Sequence, residues 1–464
     1  MNRKTNTIKP ESRKLIIIGI VLSILTYWLF AQTFLNLGPH LQETFDTSQG
    51  IINLSISLTS LITGIFMVAA GTLSDRYGYV RFTFLAIVLS IIGSLLVIIT
   101  TNAGVMLTGR VVQGFSAAIL MPATISILNN AFDGEQRRAA LSWWSIGAFG
   151  GTGIASLFAG IVSTYFFWQI TFIISIIVAL IALYLLKDLR KVRFVKGKST
   201  GKLDFIGLIL FTVSLSALSI FITQGDGWGW LNPLSIALAL ITIITAVVFF
   251  KYENTLKSPF LDLSLFSNRA YTGVTVGNFL LNMSVGSIAV FNVYTQSGMG
   301  MTAFQSGLIT LPYVILLLLL VRVGEKSIAR FGPKRALVTA PLLLLIGVIF
   351  FSFTFFDGWQ YILIAGIGFA FFGAGVGLFA TPALDTAVSS LPEDKTGVAS
   401  AIFKMASTLG QGFGIAILIS VYTILDGRFE IDVAASGTFI VNMIFAIISF
   451  LFVWRFLPNQ QTKI

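Results

Sequence analysis

The sequence predicts an all-α polytopic membrane protein of two six-helix bundles plus an inserted two-helix hairpin, fourteen transmembrane helices in all. Three observations predict it. Hydrophobic residues make up 56% of the 464-residue chain and charged residues 11%, with a mean hydropathy of +0.90. No single water-surrounded core can hide that many apolar side chains, so lipid must solvate most of them. Apolar stretches of about 20 residues, the length that crosses a bilayer, follow one another from end to end. Among 30 lysines and arginines, Arg428 alone falls in a loop assigned to the outer face. The other loop cations occupy alternate loops and the termini, which places both ends in the cytoplasm.

The elements follow in order. A basic tail, 1–14, precedes an apolar run that is long and lacks a small-residue cleavage site, so the run reads as a first membrane helix and not a removed signal. Spans at 15–37, 50–72, 81–101, 104–130, 138–162 and 165–186 form an N-terminal bundle over 15–186. The linker 187–202 is rich in lysine and arginine and marks its side as cytoplasmic. Spans at 203–222 and 233–250 form the inserted hairpin, 203–250, whose spans carry no charge apart from Asp204 at the first margin and which is expected at the periphery. A second cytoplasmic linker, 251–269, leads to spans at 270–295, 306–322, 334–356, 359–388, 397–421 and 436–457. These build a C-terminal bundle over 270–457, followed by a cytoplasmic tail, 458–464. Loops with Glu43 and Asp46, with Asp226, with Asp357 and around Asp426 lie on the opposite side, almost without positive charge.

The two bundles are predicted to be copies. Arg76-Tyr77-Gly78 follows the second span and Arg330-Phe331-Gly332 follows the tenth. Met121-Pro122-Ala123-Thr124 recurs as Thr381-Pro382-Ala383-Leu384 at nearly the same offset and on the same membrane side. Parallel repeats about an axis along the membrane normal enclose a central cavity, which opens to each face in turn. The 43 glycines read first as packing residues, because membrane helices approach closely through small side chains. Gly150, Gly151 and Gly153 fit that role; with no strand and no Walker lysine beside them they make a poor nucleotide site.

Composition narrows the function. A net charge of +11 would point a soluble protein toward nucleic acid, but these cations sit in short loops between spans, and no nucleic-acid partner is expected. Zero cysteines and one histidine, His40, leave no disulfide, no thiolate nucleophile and no histidine-rich metal centre, so no cofactor or metal is expected. His40 itself reads as a solvated loop residue. With no convergent acid pair inside the spans an enzyme is disfavoured. A fixed channel suits glycine-rich rocking halves poorly, and ATP hydrolysis lacks its phosphate cradle.

At its turns the sequence resembles the major facilitator superfamily. The segment from Gly71 through Asp75-Arg76-Tyr77-Gly78 to Arg81 looks like the family's loop between helices two and three. Leu107-Thr108-Gly109-Arg110-Val111-Val112-Gln113-Gly114 looks like its fourth-helix signature. The resemblance implies the major facilitator fold and a proton-coupling role for Arg110. The span count resembles the fourteen-helix drug:proton antiporter branch, although Gly150-Gly151 stands where that branch usually has glycine-proline. More closely, Thr26–Pro39, Ala140–Gly160 and Thr381–Ala387 are similar to the staphylococcal Nor-type quinolone and multidrug efflux pumps. That resemblance implies a functional monomer in the bacterial plasma membrane, exporting amphipathic drugs such as quinolones, with dyes and organic cations, against protons. A proton-linked transporter of an endogenous metabolite or lipid, importing included, would show the same residue pattern.

Arg110, Asp385 and Lys404 are the ionisable residues well inside the spans, with Arg322 at a boundary. A charge in hydrocarbon costs about 2.5–3.5 kcal/mol, so each needs a cavity or a partner. Asp385 and Lys404 lie roughly 7–11 Å from the inner ends of their helices, a depth at which they can pair. Two readings stay open: Asp385 alternates between protonated and ion-paired states and carries the coupled proton, or the pair is a permanent structural bridge. Arg110 lies nearer the outer end, either as a packing arginine bonded to carbonyls or as a coupling group. Gln113, one turn along, would orient it or touch substrate. No carboxylate occurs over Phe30–Asn36, which favours neutral or zwitterionic substrates.

Drugs of this kind need aromatic area and a few polar groups. Candidate wall residues are Tyr27, Gln32 and Asn36 on the first helix, Trp143 on the fifth, and Asn278, Asn282 and Tyr294 on the ninth. Gln32 and Asn36, like Asn278 and Asn282, are four apart and share a helical face. Each amide has a second reading as interhelical glue worth about 1 kcal/mol or less. Asp75 with Arg76, and Glu325 with Lys326 and Arg330, are candidate gates whose ion pairs form when the outside is open and break when the inside opens. The plainer alternative is that they only set orientation.

Overall fold

Helix is the secondary structure that satisfies its own backbone in lipid, and no strand occurs among the described residues. The computed structural model describes residues 10–132, 136, 140, 143–144, 146–191, 204–256, 259–356, 358–391 and 396–458. Within them, 12 helices are long and apolar enough to cross a membrane.

The first half begins with α1 (Pro10–Leu25), which runs on through a π-helical turn, Thr26–Phe30, and a 3-10 turn, Ala31–Asn36. Short α2 (Gly38–Phe45) leads to α3 (Gln49–Tyr77), α4 (Tyr79–Ile98) and α5 (Ala103–Ala131), then α6 (Gly151–Tyr165) and α7 (Ile170–Leu185). Of the expected span 138–162, the described part is a π turn, Ile146–Gly150, running into α6; most of 138–145 lies outside the described residues. Two helices, α8 (Phe205–Trp228) and α9 (Pro233–Glu253), precede the second half. That half contains α10 (Arg269–Val285), α11 (Ser287–Val293), a π turn at Tyr294–Gly298, α12 (Ala303–Ile309) and α13 (Leu311–Phe331). It closes with α14 (Pro333–Phe351), α15 (Gly358–Ser389), α16 (Thr396–Asp426) and α17 (Ile431–Phe456).

The repeated motifs have a backbone cause. Gly78 adopts φ +114° between α3 and α4, and Gly332 adopts φ +74° between α13 and α14. A side chain is strained at such angles, so a glycine at the end of each Arg-aromatic-Gly triplet lets one helix stop and the next start at once. Pro122 lies inside α5 and Pro382 inside α15. The first long helix of each half is also interrupted: α1 by its π and 3-10 turns, and α10 by the step at Gly286 into α11.

Small residues bring the helices together, since lipid provides no apolar drive for them to associate. A Cβ on Gly410 would fall on the Phe279 carbonyl, and one on Gly414 on the Met283 carbonyl, so α10 and α16 touch backbone to backbone. Gly64 receives Leu409 and Gly412 receives Leu61, which locks α3 of the first half onto α16 of the second. Helices α8 and α9 pack on one another, with Ser214 Oγ donating to the Thr242 carbonyl at 3.1 Å. Only 28% of α8 and 11% of α9 is buried, against 83% of α3, so the pair lies at the periphery.

Candidate functional site

A cavity of about 90 Å³ lies between the halves, walled by Trp28, Met121 and Ala148 from the first and by α10, α13, α15 and α16 from the second. On α10, Asn278 and Asn282 both face it, as their four-residue spacing predicts. Asn278 Nδ2 donates to the Phe403 carbonyl at 3.0 Å and its Oδ1 accepts from Asn282 Nδ2 at 2.9 Å. The amides thus fasten α10 to α16 at the level of Lys404, itself part of the wall. Ser407 and Gln411 follow Lys404 by three and seven positions and line the same space. The Ser407 and Thr408 hydroxyls donate back to the Lys404 carbonyl at 2.9 and 3.0 Å. Tyr313, Phe379, Phe403 and Trp28 supply aromatic faces.

Arg110 sits elsewhere. Its side chain is 1% exposed, and its donors go to the Ser55 carbonyl (Nε, 2.9 Å), the Ala31 carbonyl (Nη1, 3.0 Å) and Gln113 Oε1 (Nη1, 2.7 Å). The guanidinium also lies 4.1 Å from the Phe34 ring centre. The result is a clamp joining the irregular end of α1, α3 and α5, in which Gln113 orients the arginine and lies off the cavity wall.

Beyond the cavity the halves are tied by amides. Asn36 Nδ2 donates to the Ala303 carbonyl at 2.9 Å, while Gln296 Nε2 donates to Asn36 Oδ1 at 2.8 Å and to its carbonyl at 3.2 Å. Phe304 N donates to Thr164 Oγ1 at 3.3 Å, and a Cβ on Gly160 would fall on the Ala303 carbonyl. This end of the cavity is therefore closed by direct backbone and amide contact.

The family model of the Major Facilitator Superfamily matches residues 16–415. The chain belongs to the major facilitator superfamily. It is 41% identical over 451 residues to the quinolone resistance protein NorB of Staphylococcus aureus strain MRSA252, covering 97% of each chain. The protein of the same description from strain COL is 40% identical over the same length. Among solved structures, the fold is similar to the POT family transporter PepTSo, with TM-score 0.68 and 14% identity over 97% of this chain and 99% of that one. It is also similar to an auto inhibited POT family peptide transporter, with TM-score 0.65 and 16% identity over the same shares. Family membership makes the chain a multi-pass membrane transporter and not an enzyme.

Within this major facilitator fold the expected site residues separate. Asn278, Asn282 and Lys404 reach the cavity. Tyr27 is buried beside it with its hydroxyl 3.4 Å from Ser60 Oγ, and Gln32 donates to the same oxygen at 3.5 Å. Asn36 serves the tie between halves. Tyr294 donates to Asp432 Oδ1 at 2.6 Å at the far end of the second half. Trp143 is 56% exposed, and its neighbour Trp144 is the buried one, donating to Thr124 Oγ1 at 3.0 Å.

The expected Asp385–Lys404 ion pair is not formed. Pro382, Ala383, Thr386 and Ala387 make the buried face of α15, and Asp385 with Ser389 falls on the exposed one. Arg76 is exposed and lies 5.7 Å from the Tyr77 ring centre. The side chains of Asp75, Glu325, Lys326 and Arg330 lie outside the described residues. His40 is half-buried, its carbonyl accepting from Thr44 Oγ1 at 2.7 Å. Sequence reasoning missed Trp28, Tyr313, Phe379, Ser407 and Gln411 on the wall, and Gln296 in the tie. The spacing of Ser407 and Gln411 from Lys404 was the one available signal for any of them.

Proposed function

We propose that this transporter exports amphipathic drugs of the quinolone class from the bacterial cytoplasm in exchange for protons, with both termini cytoplasmic and one chain as the working unit. The observation that carries this reading is the 41% identity over 97% of both chains to a quinolone resistance protein. The cavity supports it, since aromatic faces and neutral amides suit a planar aromatic ligand. Fourteen crossings are assigned, as two bundles over 15–186 and 270–457 with α8 and α9 as the hairpin inserted between them.

Transport follows from two arrangements of the halves. A drug-sized site occupies about 300–1,000 Å³, whereas the cavity here is about 90 Å³, so the halves must part to admit substrate. The Asn36–Gln296–Ala303 tie closes the outer side, and parting therefore starts at the cytoplasmic side, near the helix ends that carry Arg76 and Arg330. Asp75 with Arg76, and Glu325 with Lys326 and Arg330, are assigned as the gate there. Asp385, on the last turn of α15, takes up or releases the proton; sliding of α15 against α16 brings it to Lys404. Arg110 acts through its clamp, passing the movement of α3 to α1 and α5.

Everted membrane vesicles given an imposed pH gradient test this. Norfloxacin should accumulate in wild-type vesicles and collapse the gradient, and Asp385→Asn should abolish the drug-driven proton flux while the protein still inserts. Undiminished gradient-driven accumulation by Asp385→Asn removes Asp385 as the carrier; no accumulation by wild type removes the export function.

A further inference from the structure

We infer that Lys404 is the anchor for a carboxylate on the transported molecule, so that the cavity selects aromatic acids and zwitterions over purely cationic amphiphiles. This rests on the export function proposed above and sharpens it. Among the described lining residues Lys404 carries the one formal charge, and none is acidic. A site built for organic cations would need a carboxylate or a cage of π faces closing on the cation. Here the fixed charge has the opposite sign.

The surroundings leave Lys404 as the described lining group that can meet an anionic headgroup at this end. The Asn278 amide holds the backbone at Phe403, immediately before Lys404, so the lysine projects from a fastened point. Asn282 spends its amide N–H on the Asn278 carbonyl and side-chain oxygens, and the Ser407 and Thr408 hydroxyls spend theirs on the Lys404 carbonyl. These neutral groups have their donors spent, so the ammonium is the donor that a carboxylate meets at this end. The ammonium of Lys404 is the strong donor nearby, and charge-assisted contacts outweigh neutral ones. Gln411 lies about 10 Å further along α16, two turns away on the same face. That separation suits a fused-ring acid whose carboxylate meets Lys404, whose rings lie against Phe379, Phe403 and Tyr313, and whose distal amine meets the Gln411 oxygen.

The test uses the full chain, purified and reconstituted in lipid nanodiscs, with two probes: a fluoroquinolone and the same molecule with its carboxylate converted to the primary carboxamide. Binding is followed by quenching of tryptophan fluorescence, Trp28 being in the wall. Wild type should bind the acid about tenfold or more tighter than the carboxamide. Lys404→Gln should lose about that factor for the acid and leave the carboxamide unchanged, so that the preference vanishes. Lys404→Arg should keep it, because the charge remains. A purely structural lysine would lower both affinities together, so the ratio is the deciding quantity. Removing a charge from a membrane helix favours insertion, and Lys404→Arg controls for folding. If Lys404→Gln still prefers the acid by the wild-type ratio, the inference is overturned while the export function stands. If wild type neither binds nor transports either probe, the export function fails and the inference falls with it.

Discussion

Replacing Asn36 by alanine should open the end of the cavity that the structure shows closed. The asparagine side chain makes two of the bonds between the halves, donating to the Ala303 carbonyl at 2.9 Å and accepting from Gln296 at 2.8 Å. The 3.2 Å bond from Gln296 to the Asn36 carbonyl survives the substitution. At a net worth of about 0.5–1.5 kcal/mol per bond, the variant loses about 1–3 kcal/mol from this closed arrangement. Nothing is lost from the arrangement in which the halves are parted there. The balance therefore moves toward the open form by about 5- to 150-fold. Because the chain contains no cysteine, Thr164→Cys and Phe304→Cys can be introduced as a reporter pair; these residues adjoin across the same closure. Cross-linking of the pair by a short bifunctional maleimide should be fast in an otherwise wild-type chain and slower by about fivefold or more with Asn36→Ala. Gln296→Ala should act in the same direction, and the double variant should fall short of the sum because the two residues share a bond. Unchanged cross-linking in both single variants would refute the assignment of this amide cluster as a closure, leaving it as ordinary packing.

Two other perturbations separate structural roles from transport. Arg110→Met strands the Ser55 and Ala31 carbonyls in a buried site, at about 1–3 kcal/mol each, so the thermal unfolding temperature of purified protein should fall sharply; Arg110→Lys should fall less. At the base of the peripheral pair, Glu253 is 2% exposed and Oε2 accepts from Leu261 N at 3.1 Å. Its Oε1 and Asp204 Oδ2 are buried without a hydrogen-bond partner and both converge on Gly207. Glu253→Gln supplies an N–H to that contact and should unfold no earlier than wild type, whereas Glu253→Ala strands the Leu261 N–H and should unfold earlier, as measured in the same thermal assay.

Much of the fold was legible because charge and hydropathy act at the scale of whole helices. The Arg-aromatic-Gly triplets announced the repeat, and the positive φ of Gly78 and Gly332 gives the reason for the glycines. The site was legible only where the helix stays regular. Asn278 and Asn282, four apart on unbroken α10, both reach the cavity. Gln32 and Asn36 have the same spacing but lie in a 3-10 turn entered from a π turn. Wider and then tighter turns change the rotation per residue, and the shared face is lost. Tyr294 opens another π turn and ends against Asp432, away from the cavity. Asp385 was matched to Lys404 in depth along the membrane, but depth says nothing of azimuth, and the buried stripe of Pro382, Ala383, Thr386 and Ala387 turns the carboxylate outward. Between Trp143 and Trp144 the difference is a single step around the helix, which is undecidable without knowing what packs on either side.

The two halves share turn motifs and divide their chemistry. In the first, Arg110 takes two carbonyls and Gln113, Gln32 and Tyr27 meet at Ser60, and Asn36 reaches across to Ala303, while Thr59, Gln169, Thr171 and Ser175 each keep a buried oxygen without a partner. In the second, Asn278, Asn282, Lys404, Ser407 and Gln411 come from two helices pressed together through Gly410 and Gly414, and all five face the cavity. A polar network that is complete resists rearrangement, because each bond broken in a dry interior leaves a costly orphan. Groups that line a cavity instead have room beside them for a ligand. Substitutions in the Arg110 network of the first half should therefore register in stability. Substitutions on α10 and α16 should register in which molecules are held. The same asymmetry explains why a repeat detected by its turns does not predict a symmetric binding site: turns obey backbone sterics, which both copies must satisfy, while the side chains inside each bundle are free to diverge.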